Sequence, residues 1–223
     1  RGGRMQRRSG LRQGSLNCGL MTRAMDLGRA CPAAVVAAVA AGVAVLARRD
    51  GDSLALTLNR PERHNAFSAR MRDELMDALA VAATEPTLEV VLRAAGASFC
   101  SGGDLDEFGT FPDPATAHLV RTTRSPARVL AGMAERVRAE VHGACIGAGI
   151  ELAAFARHVV ATSDAFFQLP EVGMGLIPGA GGTASLPRRI GRQRTAYLAL
   201  TGRRLDALTA RAWGLIDAIA EPA

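Results

Sequence analysis

EVHGACIGAGIELA, residues 140–153, is the stretch on which the fold turns. Arg138–His142 alternates polar and apolar residues, as a half-buried strand does. Gly143–Gly149 follows as a glycine turn, and Glu151–Ala156 resumes as an apolar helix. The same succession recurs on either side. Upstream, Leu88–Leu92 reads as a short buried strand, Ser101–Asp104 as a glycine turn and 110–114 (TFPDP) as a loop, and the pattern predicts a helix from Ala115 to about Ala134. Downstream, His158–Thr162 reads as a strand, Ala165–Leu169 as a second apolar stretch, and Pro178–Gly182 as a loop before a helix over Ala184–Ile190. Toward the start, Ser53–Leu58 (SLALTL) alternates as a strand that Pro61 ends. Ser68 caps a helix over about 69–83, with Met71, Leu75, Met76 and Leu79 on one face, and Pro86 breaks it. Toward the end, Arg194–Leu200 and Asp206–Trp213 read as helices and Leu215–Ile219 as a last strand. Strands alternating with helices imply an α/β layered fold.

Composition narrows the function. The 223 residues suffice for one sizeable domain. With 48% apolar and 22% charged residues, the composition suits a globule rather than a disordered or coiled-coil chain. The net charge of +6 does not describe a nucleic-acid surface. Residues 1–25 hold six Arg and no acid, and the remaining 21 Arg balance 21 Asp and Glu. We expect no nucleic-acid partner. We expect no membrane either, because the longest apolar run, Ala33–Ala47, is shorter than a spanning helix, which needs roughly 18 residues. Residues 1–50 are expected to be a leader, with a helix near 33–48, and 51–223 the core domain. The Arg-rich, acid-free start has the composition of an organellar transit peptide, or of a mis-assigned start with Met21 as the true one. A cytoplasmic protein is the expectation. Cys18, Cys31, Cys100 and Cys145 form no CxxC pair, and the four His lack metal spacing, so no metal site is expected.

Three glycine turns follow short apolar runs: FCSGGDL (99–105), HGACIGAGIEL (142–152) and LPEVGMGLIPGAGG (169–182). A turn that opens a helix presents unpaired N–H groups, and two such turns facing each other could hold a developing oxyanion, each donor worth roughly 3–4 kcal/mol in a rate. The G-A-G-I-E-L at 147–152 lacks the third glycine of a dinucleotide fingerprint, and a chain without Lys has no phosphate loop of the Walker type. Glu151 and Glu171 both stand in apolar surroundings. Either they are a buried pair with raised pKa values, fit to hold an acid and a base together, or Glu151 is an N-terminal helix acid and Glu171 a solvated loop residue. His142 and Cys145 more simply pack or bond backbone than form a dyad.

Four segments in order resemble the enoyl-CoA hydratase/isomerase (crotonase) superfamily over about 53–219: LNRPERHNAFS (58–68), SFCSGGDLDEF (98–108), EVHGACIGAGIELA (140–153) and FFQLPEVGMGLIPGAGGTASLPRRIG (166–191). The resemblance implies a spiral of ββα units, a homotrimer or hexamer, an acyl-CoA thioester as substrate, and no cofactor beyond the coenzyme A it carries. It implies that the N–H groups of Gly103 and Ala148 polarise the thioester carbonyl. It makes Glu151 the residue that activates water and Glu171 the one that exchanges the α-proton. It assigns coenzyme A or substrate contact to Arg63, His64, Asn65, Ala66, Ser101, Gly102, Asp104 and Gly149, with His64–Ala66 lining the adenine pocket, Asn65 fixing the turn, and Arg60 or Arg63 meeting phosphates by charge.

The chain also departs from the family. Ala148 stands where Gly is more common and Gly103 where Ala is, and Asp106 replaces a base that binds coenzyme A phosphate in some members. The C-terminal helical region is expected to be shortened: either the chain is truncated, or the helix near 33–48 takes that region's place. The expected activity is reversible syn addition of water to a trans-2-enoyl-CoA. Double-bond isomerisation or another enolate chemistry is the alternative within the family, and non-catalytic acyl-CoA binding the alternative outside enzymes.

Overall fold

Hydrophobic alternation and proline placement set the elements, seen in a computed structural model that describes residues 42–221. β1 (Val45–Asp50) and β2 (Ser53–Leu58) form an antiparallel hairpin closed at Asp50 and Ser53. The 3-10 turn Pro61–Arg63 follows, then α1 (Ala69–Thr84). Ser68 Oγ caps the first turn of α1 by accepting from Met71 N–H at 3.2 Å. Next come β3 (Glu89–Ala94), α2 (Pro114–Thr123), α3 (Pro126–Gly132), β4 (Val137–Val141), β5 (Ala144–Ile146) and α4 (Ala148–Ala153). β6 (His158–Thr162), β7 (Phe166–Gln168), α5 (Gly182–Ile190), α6 (Arg192–Thr201), β8 (Leu205–Asp206), α7 (Ala207–Trp213) and β9 (Ala218–Ala220) complete the described chain.

The order in the larger sheet is β1-β2-β3-β4-β6-β9, parallel throughout except for the hairpin. Its strands are rich in Val, Leu and Ala, as strands buried by crossover helices must be. Leu56, Val90, Val137 and Ala139 are fully buried in it, and α1 lays Met71, Leu75 and Leu79 onto the same core. Each large apolar side chain contributes about 1.5–3 kcal/mol by leaving water. A smaller sheet, β5-β7-β8, continues from the ends of β4 and β6. The repeating unit is therefore a strand in the large sheet, a short strand in the small one, and a helix or turn. Its consequence for function is stacking: Phe67 bridges Gly103, Cys100 bridges Cys145, and Cys145 pairs with Phe167. The glycine segments that follow successive large-sheet strands thus lie side by side.

Three expectations are corrected. Val45–Asp50 is a strand, not the end of a helix near 33–48, and it pairs with β2 along its whole length, so the fold begins before residue 51. Its conformation depends on pairing with β2, which residue-by-residue propensity does not show. The part of that helix before residue 42, and the rest of the leader, lie outside the described residues. The helix over 115–134 is two: Ser125 caps and Pro126 opens α3, because proline restricts the residue before it away from helical geometry. The glycine turn at 143–149 contains β5, and α4 starts at Ala148, which makes Glu151 its fourth residue.

Candidate active site

Gly103 and Ala148 come together with amides left unspent. Phe67 N–H donates to the Gly102 carbonyl at 2.7 Å, and the Phe67 carbonyl accepts from Asp104 N–H at 3.2 Å. A parallel bridge of this kind uses the groups on either side of Gly103 and leaves Gly103's own N–H free. In the next segment Gly147 N–H donates to the Gln168 carbonyl at 3.0 Å, and the first bond within α4 runs from Glu151 N–H to the Gly147 carbonyl at 2.9 Å. Ala148, at the first position of that helix, keeps one of the amides that a helix start cannot pair. The positive φ of the turn, 49°, falls on Gly147. Glycine tolerates that conformation, and Ala148 accepts its Cβ without strain. Both residues line one cavity of about 250 Å³.

Glu151 and Glu171 line the same cavity. Glu151 is 1% exposed, and its Oε2 accepts from Ala180 N–H and Gly182 N–H at 2.7 Å each. Burial pushes its pKa from the ordinary 4.5 to about 7; the two amides pull the other way and the charge of Glu171 adds to the rise. Glu171 opens the 3-10 turn Glu171–Met174 and is half-buried. Its Oε2 is buried with no partner among the described residues, and burial raises its pKa as well. A Cβ on Gly147 would collide with Glu171 Oε1, so glycine there makes room for the carboxylate. Among the described residues no group of three His, Cys, Asp or Glu could hold a metal ion, and no helix is long and apolar enough to cross a membrane.

The other expected contacts are distributed differently. Asp104 lines the cavity, but its carboxylate is held by Arg60 at 2.8 Å and Arg63 at 3.4 Å. Arg63 is also paired with Asp106, so its guanidinium is neutralised by acids instead of standing free for a phosphate. Asn65 is fully buried: Oδ1 accepts from Arg60 N–H, and Nδ2 donates to the Ala95 and Ser98 carbonyls. It clamps the turn and has no polar side-chain atom left for a ligand. The N–H groups of His64, Asn65 and Ala66 are all bonded to carbonyls within the same turn, to Pro61, Arg60 and Arg63. Ser101 N–H is spent on the His64 carbonyl and the Gly102 carbonyl on Phe67. Gly149 serves close packing, since a Cβ there would lie 2.8 Å from Cys100 Cβ. His142 Nε2 lies 2.9 Å from the Gly96 carbonyl and Cys145 is fully buried, so the two form no dyad.

Sequence reasoning missed two parts of the cavity. One is the pair of amides at Ala180 and Gly182, hidden in a GAGG run that reads only as a flexible turn. The other is a set of arginines, Arg72, Arg121 and Arg124, which belong to no motif.

Comparison with known proteins places the sequence and the fold in a family. The enoyl-CoA hydratase/isomerase sequence profile matches residues 50–222. The chain belongs to the enoyl-CoA hydratase/isomerase family. It is 36% identical to the mevalonyl-coenzyme A hydratase SIDH of Beauveria bassiana over 74% of this chain and 62% of that protein. It is 37% identical to the 1,2-epoxyphenylacetyl-CoA isomerase of Escherichia coli over 77% of this chain and 68% of that protein. Among solved structures, an enoyl-CoA hydratase from Thermoplasma volcanium superposes with a TM-score of 0.74 at 35% identity, covering 81% of this chain and 73% of that one. The chain thus has the crotonase fold. It spans about two thirds of the length of the curated relatives it matches.

Proposed function

We propose that the protein is an enoyl-CoA hydratase that adds water reversibly, with syn geometry, across a trans-2-enoyl-CoA thioester. The observation that carries this reading is the meeting, in one cavity, of two unspent amides and two carboxylates that have no ion-pair partner among the described residues. The N–H groups of Gly103 and Ala148 donate to the thioester oxygen, and their donation strengthens as that oxygen becomes an enolate. Each such donor is worth roughly 3–4 kcal/mol in rate. Glu151, with Oε2 fixed by Ala180 and Gly182, takes a proton from water through its other oxygen as the water attacks the β-carbon. Glu171 delivers a proton to the α-carbon. Burial raises the pKa of both carboxyls, that of Glu151 to about 7, which is the direction that lets a protonated acid and an ionised base stand together. The reading brings with it an acyl-CoA thioester as partner molecule and a homotrimer, or a pair of trimers, as the assembly.

Loss of the conjugated-thioester absorbance of crotonyl-CoA tests the reading. Glu151→Gln and Glu171→Gln each should lower turnover by about 10²–10⁴-fold with the fold intact. Full hydration by either variant would remove that residue from the mechanism. Isomerisation is the second reading, favoured by the unpartnered oxygen of Glu171, since one carboxylate suffices to move a proton between carbons. On a 3-enoyl-CoA, Glu171→Gln would then abolish activity and Glu151→Gln would be mild.

A further inference from the structure

The acid pair and the two amides leave the arginines of the cavity without a task. Arg72 on α1, and Arg121 and Arg124 at the end of α2, line it together with Glu151 and Glu171. The Arg72 side chain is 14% exposed, and its Nε donates to Asp73 Oδ1 at 2.9 Å; Arg124 Nε donates to the same oxygen at 2.6 Å. One carboxylate therefore serves two guanidinium groups. Arg124 also approaches Asp77 at 3.6 Å, but that acid is 82% exposed. An ion pair so well solvated is worth little. Arg121 forms no ion pair among the described residues. Of the other acids that line the cavity, Glu107 Oε2 accepts from Ala69 N–H at 2.7 Å and Asp104 is held by Arg60 and Arg63, and none forms an ion pair with these arginines. Among the described residues Asp73 is thus the one well-placed carboxylate for three guanidinium groups.

Chain continuity joins these arginines to the segment that packs beside the support of Glu151. Arg124 is followed by Ser125, Pro126 and Ala127, all cavity-lining. Ala127 packs on Gly181, where a Cβ would lie 2.7 Å from its own, and Gly181 stands between the two amides that hold Glu151. The arginines beside the 64–66 turn, by contrast, are neutralised by Asp104 and Asp106. The apolar remainder of the lining, with Phe108, Phe111, Leu176 and Ile177, suits methylene groups.

We propose that Arg72, Arg121 and Arg124 bind a carboxylate at the far end of the acyl group, so that this protein prefers coenzyme A thioesters of short dicarboxylic acids. The inference rests on the acyl-thioester reading above and names the substrate class of that site. Guanidinium groups pair with a carboxylate more strongly than with any neutral chain end, and Arg72, the most buried of the three, is the least screened by water.

Calorimetric binding of saturated, unreactive thioesters tests it without relying on turnover. Glutaryl-CoA and adipyl-CoA are compared with pentanoyl-CoA and hexanoyl-CoA, with free coenzyme A as reference, on the full chain. The wild type should bind each diacid thioester about tenfold or more tightly than its chain-matched partner, with the preference shrinking in added salt. Arg121→Gln, a change at an exposed side chain, should lower that ratio several-fold, and Arg121→Gln with Arg124→Gln should bring it near one. A ratio near one in the wild type, or a ratio that survives both substitutions, overturns the proposal. So does an equal loss of affinity for all ligands including free coenzyme A, which would assign the arginines to the coenzyme's phosphates. Failure of the hydratase reading would show in the crotonyl-CoA assay while this ratio remained measurable.

Discussion

The Asn65 turn and the Glu151–Glu171 pair are both polar groups set in apolar surroundings, and they are built in opposite ways. Asn65 is fully buried with each side-chain polar atom bonded, at 2.7 Å to Arg60 N–H and 2.8 Å to the carbonyls of Ala95 and Ser98. Among the described residues the two glutamates have no cation within ion-pair distance, and one oxygen of Glu171 has no partner at all. Burying a charge without a counterion costs several kcal/mol, and a closed network costs little. A closed polar cluster holds the fold. An open one is a cost the fold carries for the sake of whatever enters the cavity.

Removing a member of each cluster should separate the two cases. Asn65→Ala leaves Arg60 N–H and two carbonyls unpaired in the interior, at a residue with φ of 54°. It should destabilise the protein by about 3–4 kcal/mol in a denaturant melt, while turnover per folded molecule stays within a few-fold. A loss under about 1 kcal/mol would break the comparison, because the closed cluster would then carry no stability. Glu151→Gln should do the reverse. The carboxyl's pKa rises from 4.5 unfolded to about 7 folded, so its stabilisation is fully present below 4.5 and is lost as pH climbs through 7. Gln keeps an oxygen for the amides of Ala180 and Gly182 but never ionises. At pH 8 the variant should therefore be more stable than wild type by up to about 3 kcal/mol, the gain fading toward pH 5. Thermal melts across that range check the sign, and equal stability at pH 8 would mean that the carboxylate is better solvated than its burial implies.

The same contrast explains what the sequence discloses. Strand and helix identities were legible from alternation and capping: Ser53–Leu58, Ser68 with α1, and His158–Thr162 stand where the pattern puts them. Glu151, Glu171, Gly103 and Ala148 were legible as candidates because each sits in a glycine turn with an apolar approach. β1 was not, since its partner β2 decides its conformation. Nor was the spent state of Asn65 and Arg63, which depends on Ala95, Ser98 and Asp106, at least 30 residues away in sequence. The arginines of the cavity were illegible for the same reason: Asp73 on α1 and Arg124 at the end of α2 meet in a contact that no local spacing signals.

The glycines that frame the pair differ in the same way, and Gly103 gives the smallest effect of all. Gly147→Ala would drive a Cβ into Glu171 Oε1 on a residue with φ of 49°. The strain costs roughly 1–3 kcal/mol, and the carboxylate must move, so kcat/KM should fall about 10²-fold through misplacement alone. Gly103→Ala is the contrasting case. Gly103 has no positive φ, and its Cβ would meet only the ring of Phe108, at 3.1 and 3.3 Å. Phe108 is 41% exposed and free to swing outward. Stability should stay within about 0.5 kcal/mol and kcat/KM should change less than about tenfold. Steady-state kinetics on the two variants decide the matter. If Gly103→Ala proves the more damaging, the wall formed by Phe108 is rigid, and the openness that distinguishes this cavity from the Asn65 turn belongs to the carboxylates alone.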